Sequence, residues 1–76
     1  MSEISTTLNL SEVEEYDPEI YWIILDKLKE IEYDSESVGE VEVVEALDRF
    51  EVTVRDDDGD DLFLLELDLE NYAILD

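Results

Sequence analysis

The sequence predicts an α+β domain in which one amphipathic helix packs on a small antiparallel β-sheet of three to five strands. Three observations carry that expectation. An apolar period close to 3.6 residues runs from residue 18 to about 32, a two-residue period runs from 50 to 69 on both sides of an Asp-rich turn, and a shorter alternating stretch occupies residues 4 to 10. A chain of 76 residues has room for one domain, 1–76, with a modest core. Hydrophobic residues make up 45% of it, too large a share for the composition of a disordered segment despite the charge.

In chain order, Ile4, Thr6, Leu8 and Leu10 alternate with Ser5, Thr7 and Asn9, which predicts a strand over 4–10. Ser11-Glu12-Val13-Glu14 has capping-box spacing and predicts one helical turn. Next, Asp17 is an N-cap, Pro18 suits the first helical position, Glu19 complements the N-terminal dipole, and Lys27 and Lys29 lie toward the other end. These signals predict a helix from Pro18 to about Glu32. Its core stripe is Ile20, Ile23, Ile24, Leu28 and Ile31, with Lys27 at the margin, and Trp22 and Tyr33 project from the other side.

The segment Glu40 to Leu47 allows two readings. Val41 and Val43 alternate with Glu40 and Glu42 as in a strand, whereas Ser37 and Glu40 have capping-box spacing and Val41, Val44 and Leu47 fit a short helix. Farther on, Phe50, Val52 and Val54, then Phe63, Leu65, Leu67 and Leu69, flank the turn Asp56 to Asp61 and predict a β-hairpin. Asn71 breaks the pattern, and Tyr72 to Leu75 are expected to add a final short strand.

The 25 acidic residues against 4 basic ones give a formal charge of −21, spread along the chain and not gathered in a tail. Such a field repels nucleic acid and anionic lipid and steers the chain toward positively charged surfaces. Cysteine and histidine are absent, which removes disulfides, thiolate zinc sites, thiol nucleophiles and imidazole bases together. The start, Met1-Ser2-Glu3-Ile4-Ser5, has no basic n-region, and the apolar run Ile20 to Leu25 is too short to span a bilayer, so the expectation is a cytoplasmic protein without membrane contact.

No enzymatic role is expected. Carboxylates are plentiful, but nothing sets one pair apart in a pocket that would separate their pKa values. Asp56-Asp57-Asp58-Gly59-Asp60-Asp61 fails as a calcium loop. With Gly59 at the loop's glycine position, the first ligand would be Val54 and the last Leu65. A solvated turn is the simpler reading, and neither metal nor other cofactor is expected.

The carboxylates suggest a geometric role instead. Same-side residues on a strand repeat every 6.6 to 6.8 Å or so, similar in scale to successive phosphates on a nucleic-acid strand. Candidate rows are Glu40 and Glu42, Glu66 and Asp68, and the turn residues Asp56, Asp57, Asp58, Asp60 and Asp61, joined by Glu12, Glu14, Glu15 and Glu19. A Lys- and Arg-lined groove that accepts DNA or RNA would accept such rows and be blocked by them. Trp22 and Tyr33 are candidate aromatic anchors, with Asp26 and Lys29 between them. The expected partner is a basic nucleic-acid-binding protein, with no direct nucleic-acid contact and the chain itself a monomer or homodimer.

The order of elements resembles the phage uracil-DNA glycosylase inhibitors over about two thirds of the chain. The resemblance lies in an early helix, the triplet Glu36-Ser37-Val38, the acidic aliphatic segment Glu40 to Leu47, and the hairpin Arg49 to Leu69 with its acidic turn. In that family the triplet contacts the enzyme's DNA-binding cleft and a hydrophobic pocket receives an enzyme side chain, so the resemblance implicates Glu36, Ser37, Val41 and Val44. It places the chain with the DNA-mimic inhibitors, alongside anti-restriction and anti-CRISPR proteins. Two other readings remain open: an acidic protein of a salt-adapted organism, and a protein-interaction or immunity module.

Overall fold

Asn9 decides where the first strand stops. Its side-chain oxygen accepts the Glu12 N–H at 2.9 Å while Glu12 Oε1 accepts the Asn9 N–H at 3.0 Å, a reciprocal capping box. The computed structural model, which describes residues 4–75, therefore has β1 at Ile4–Leu8 and a first helix, α1, at Leu10–Tyr16. The box expected at Ser11 lies two residues earlier, and the single expected turn becomes a helix. Residues 1–3, on which the expectation of a leaderless start partly rests, lie outside the described residues.

Asp17 ends α1 and begins α2, Pro18–Glu30, accepting the Glu19 N–H through Oδ1 at 3.1 Å. A short 3-10 turn, Ser35–Ser37, leads into β2, Val38–Glu45, followed by β3, Arg49–Asp56, and β4, Asp61–Asp68. The sheet is antiparallel throughout with strand order β1-β2-β3-β4, and both helices fall between β1 and β2 in the chain. The α+β expectation holds. Glu40 to Glu45 are strand and not helix, because pairing with β3 on one side and, from Val41 onward, with β1 on the other satisfies their backbone and puts Val41 and Val43 on one face.

That face meets the helices. Val41, Val43, Phe50, Val52, Val54, Leu65 and Leu67 from the sheet pack with Val13, Ile20, Ile24 and Leu28 from the helices, and among the described residues no polar or charged side chain is buried. Each such apolar burial stabilises the fold by about 1.5–3 kcal/mol. The radius of gyration is 11.7 Å, near the roughly 11 Å expected of a compact chain this long.

Two expectations at element ends are corrected. Helix α2 stops at Glu30 because Glu32 turns left-handed, with φ 59°. This closes a Schellman motif in which the Tyr33 N–H donates to the Leu28 carbonyl at 2.9 Å and the Glu32 N–H to Lys29 at 3.1 Å. Ile31 thus falls beyond the helix and stays exposed, while Ile23 is only half-buried.

The expected final strand at Tyr72 to Leu75 is reduced to a single bridge, Leu67 to Ile74, because Tyr72 also takes a positive φ, 60°. Tyr72 acts instead as a latch. Its ring stacks on Phe50 with centroids 5.5 Å apart, and its hydroxyl donates to Asp17 Oδ2 at 2.6 Å.

Glu32→Gly is expected to raise stability by about 0.5–1 kcal/mol, since a side chain in the left-handed region costs roughly 1–2 kcal/mol and glycine returns part of that in unfolded-state entropy. Urea unfolding measures it. Tyr72→Phe is expected to lower stability by about 1 kcal/mol by removing one hydrogen bond. The Tyr72 hydroxyl is pushed up from 10.0 to about 12 by its hydrogen bond to Asp17, then by burial and nearby carboxylates. Its contribution is therefore full below pH 10 and is lost as pH rises through about 12, so alkaline unfolding followed by circular dichroism should lose that component in the Phe variant.

Candidate functional site

Pairing register puts two of the nominated carboxylate rows on one surface. Because side chains alternate across a strand, the face away from the helices carries Ser5 and Thr7 from β1, Glu40, Glu42 and Val44 from β2, and Arg49, Glu51, Thr53 and Arg55 from β3. Leu64, Glu66 and Asp68 complete it from β4. Glu40 and Glu42 thus share a face with Glu66 and Asp68. Between the two rows lies Glu51, absent from the sequence-based candidates and directly opposite Glu66 in register. Its alternation with Phe50 and Val52 is the signal that could have found it. Like charges so placed repel, and Arg49 offsets one of them from 3.4 Å at Glu66.

The rows are not bare. Arg55 places Nη1 2.7 Å from Glu40, Nη2 3.0 Å from Glu42 and Nε 2.9 Å from Asp61, tying β2, β3 and β4 together across the open face. These hydrogen bonds, Glu42's first and then those of Glu40 and Asp61, hold its guanidinium well above the usual arginine range. Both irregularities of the sheet flank this residue. One is the register shift at Gly39, where an added Cβ would collide with the Asp56 carbonyl. The other is the shift that leaves Leu62 out of register. The two bulges bring Glu40 and Asp61 into line with Arg55. Arg49 meanwhile lies 3.1 Å from Asp48, and this contact holds the Asp48 carboxyl below the ordinary range.

The second acidic group gathers at the far end of the hairpin. In the turn, Asp56 Oδ1 accepts the N–H groups of Asp58 and Asp60, each at 2.9 Å, and Gly59 takes a φ of 90°. The turn is thus closed by its own first aspartate. Nearby, Glu36 and Ser37 sit in the 3-10 turn, and the Ser37 carbonyl accepts the Tyr33 hydroxyl at 3.3 Å. Partial burial, followed by the fields of Asp56, Asp57, Asp34 and Asp58, pushes the Tyr33 hydroxyl above its ordinary value. Among the described residues no cluster of acids is arranged to hold a metal ion.

The aromatic anchors are separated. The Schellman turn folds Tyr33 back toward the acidic end, where it is half-buried against the core, so it forms no stripe with Trp22. Trp22 is two residues, about 200° of helix, from both Ile20 and Ile24, which face the core. It is 59% exposed on the outside of the helical layer, opposite the open sheet face and the carboxylate rows. There it stands between two shallow grooves, one of about 640 Å³ shared with Ile23, Ile74 and Glu19 and one of about 270 Å³ shared with Leu25 and Lys29. Of the residues implicated by resemblance, Val41 is fully buried under the helices and Val44 lies on the open face, so they do not line one pocket.

Replacing Arg55 leaves Glu40, Glu42 and Asp61 facing one another. Arg55→Gln is expected to lower the melting temperature at low ionic strength and to recover much of the loss in molar salt, where exposed carboxylates are screened. Thermal unfolding of both proteins across a salt series measures this, and an equal deficit at every salt concentration would contradict it.

Comparison with known proteins adds no relative: no family model matches the chain, and no curated protein or solved structure is significantly similar to it.

Proposed function

We propose that the chain is an acidic binding module that occupies the basic nucleic-acid-binding site of a partner protein, as a DNA-mimic inhibitor does. One observation carries this reading. A charge of −21 is mounted on a core in which no described polar or charged side chain is buried, so the acid of the described residues is at the surface. A partner groove that binds DNA by releasing counterions from its phosphates would gain in the same way from this surface. The acidic turn Asp56 to Asp61 and the neighbouring Glu36 supply the densest negative end. On the open face, Glu51 and Asp68 add charge that Arg55 does not offset.

The role needs no catalysis and no cofactor. Its natural setting is the cytoplasm in which such an enzyme works, and among the described residues no helix is long and apolar enough to cross a membrane. A glycosylase, a restriction nuclease or a CRISPR nuclease would each present a suitable groove. The second reading, acidity as the solubility coat of a salt-adapted chain, is favoured by the self-pairing of Glu40, Glu42 and Asp61 with Arg55. A surface built only for mimicry would leave those carboxylates free.

The test is competition. A fluorescent duplex bound to each candidate enzyme is titrated with this chain, and its displacement is followed by anisotropy over a range of salt concentrations. Displacement that weakens steeply with salt is the expected result. Binding indifferent to ionic strength, or a ternary complex that keeps the duplex, contradicts the mimic. Folding that begins only near molar salt would favour the salt-adapted coat.

A further inference from the structure

We propose that the free edge of β1 is a docking edge that accepts an extended, basic segment of the partner protein as a fifth strand of the sheet. The inference rests on the reading of the chain as a binder of basic proteins, and it adds where and in what conformation the partner is held.

The two edges of the sheet are treated differently. On β4, the acidic side chains Asp61, Glu66 and Asp68 line the strand, and the C-terminal segment covers its outer side. The Leu75 N–H donates to the Glu66 carbonyl at 2.7 Å, the Asp68 N–H donates to Ala73 at 2.9 Å, and Leu67 bridges to Ile74. Strand β1 has none of these protections. It pairs with β2 through five consecutive residues without a register shift, contains no proline and no charge, and among the described residues no other element pairs with its outer side.

Residues 4 to 11, Ile-Ser-Thr-Thr-Leu-Asn-Leu-Ser, make up eight consecutive uncharged residues in a chain that is 38% charged. Folded proteins ordinarily blunt an edge with charge, proline or a bulge, because a straight bare edge is a template for another strand. Here the longest stretch without charge contains the strand that, among the described residues, has no cover.

Charge complementarity selects the occupant. On the open-face side, Ser5 and Thr7 are short, and just behind them lies Glu42, whose Oε2 accepts the Ser5 hydroxyl at 3.1 Å. Glu42, Glu40 and Asp61 share the single cation Arg55, three negative charges against one positive, which leaves the group at −2. On the other side runs α1, with Glu12, Glu14 and Glu15 exposed and no basic residue in its sequence.

An incoming strand would therefore lie in an uncharged lane between two acidic banks, one strand spacing of about 4.8 Å from β1. Its alternate lysines or arginines could extend over Ser5 and Thr7 toward Glu42. A second copy of this chain fits badly. Its own β1 brings no positive charge, and two chains of −21 repel at low salt. Backbone hydrogen bonds supply the affinity of such an added strand, and alternate side chains supply its selectivity.

The test uses the full chain, isotope-labelled for NMR, with two synthetic probes: an alternating lysine–valine peptide, and the same peptide N-methylated at every residue, which keeps the charge but cannot donate backbone hydrogen bonds. The expected result is salt-sensitive binding of the first peptide, with amide shifts concentrated in Ile4–Leu8 and its neighbours on β2. Affinity for the methylated peptide should be weaker by at least about tenfold.

Equal affinity for both peptides, or shifts centred on Trp22 or the Asp56 to Asp61 turn, overturns edge docking and leaves the acidic binder standing. Failure of both peptides to bind at low salt removes the two readings together. A dimer at low salt by light scattering, with the same β1 shifts and no peptide present, shows that a second copy takes the edge and overturns the assignment to a basic partner.

Discussion

Arg55 is the interaction on which the open face depends. Three carboxylates from two strands converge on one guanidinium borne by the strand between them, and the sheet departs from regular register on both sides to let them do so. Without that cation the centre of the sheet would hold like charges at short range, where repulsion between facing residues opposes pairing. The same contact limits what the face can offer a partner, because carboxylates held by Arg55 are only partly available to another cation. The acid that remains free lies toward the turn, along α1 and at Glu51 and Asp68.

The helical layer is organised by a different carboxylate. Asp17 terminates one helix, caps the next and accepts the Tyr72 hydroxyl from the end of the chain. Its two carboxylate oxygens tie the start of α2 to the C-terminal segment 55 residues away, while its backbone N–H closes α1 on the Val13 carbonyl. The two centres divide the labour: Asp17 and Tyr72 hold the helices and the C-terminal segment together, and Arg55 holds the strands.

Much of this fold was legible in the chain. The Asp17-Pro18 start of α2 and the alternation in the hairpin are local signals, and local rules set them. The ambiguous segment from Glu40 to Leu47 was settled only by tertiary context, since Val41, Val43 and Val44 satisfy either period until β1 and β3 arrive on both sides. Tyr33 was misplaced because a left-handed Glu32, unlike a glycine, leaves no mark in the sequence. The candidate surface was less legible still. That Glu40, Glu42, Glu66 and Asp68 share a face followed from alternation, but the pairing of Arg55 with three of its neighbours depends on long-range register. The separation of Trp22 from the carboxylate rows depends on which side of the sheet the helices cover.

The apolar interior of the described residues bears on how such a surface can change over time. With no described ionisable group inside, the fold does not read the identity of most of its outer residues, and an acid can be exchanged for another polar side chain at little structural cost. Positions such as Asp57, Asp58 or Glu14 are therefore free to drift, and the recognition properties of the coat can diversify while its support stays the same. The exceptions are Glu40, Glu42 and Asp61, held by Arg55, and Glu12, Asp17 and Asp56, which cap helices or close the turn, so variation among descendants should be tightest at these residues and loosest at acids such as Asp57 and Asp58.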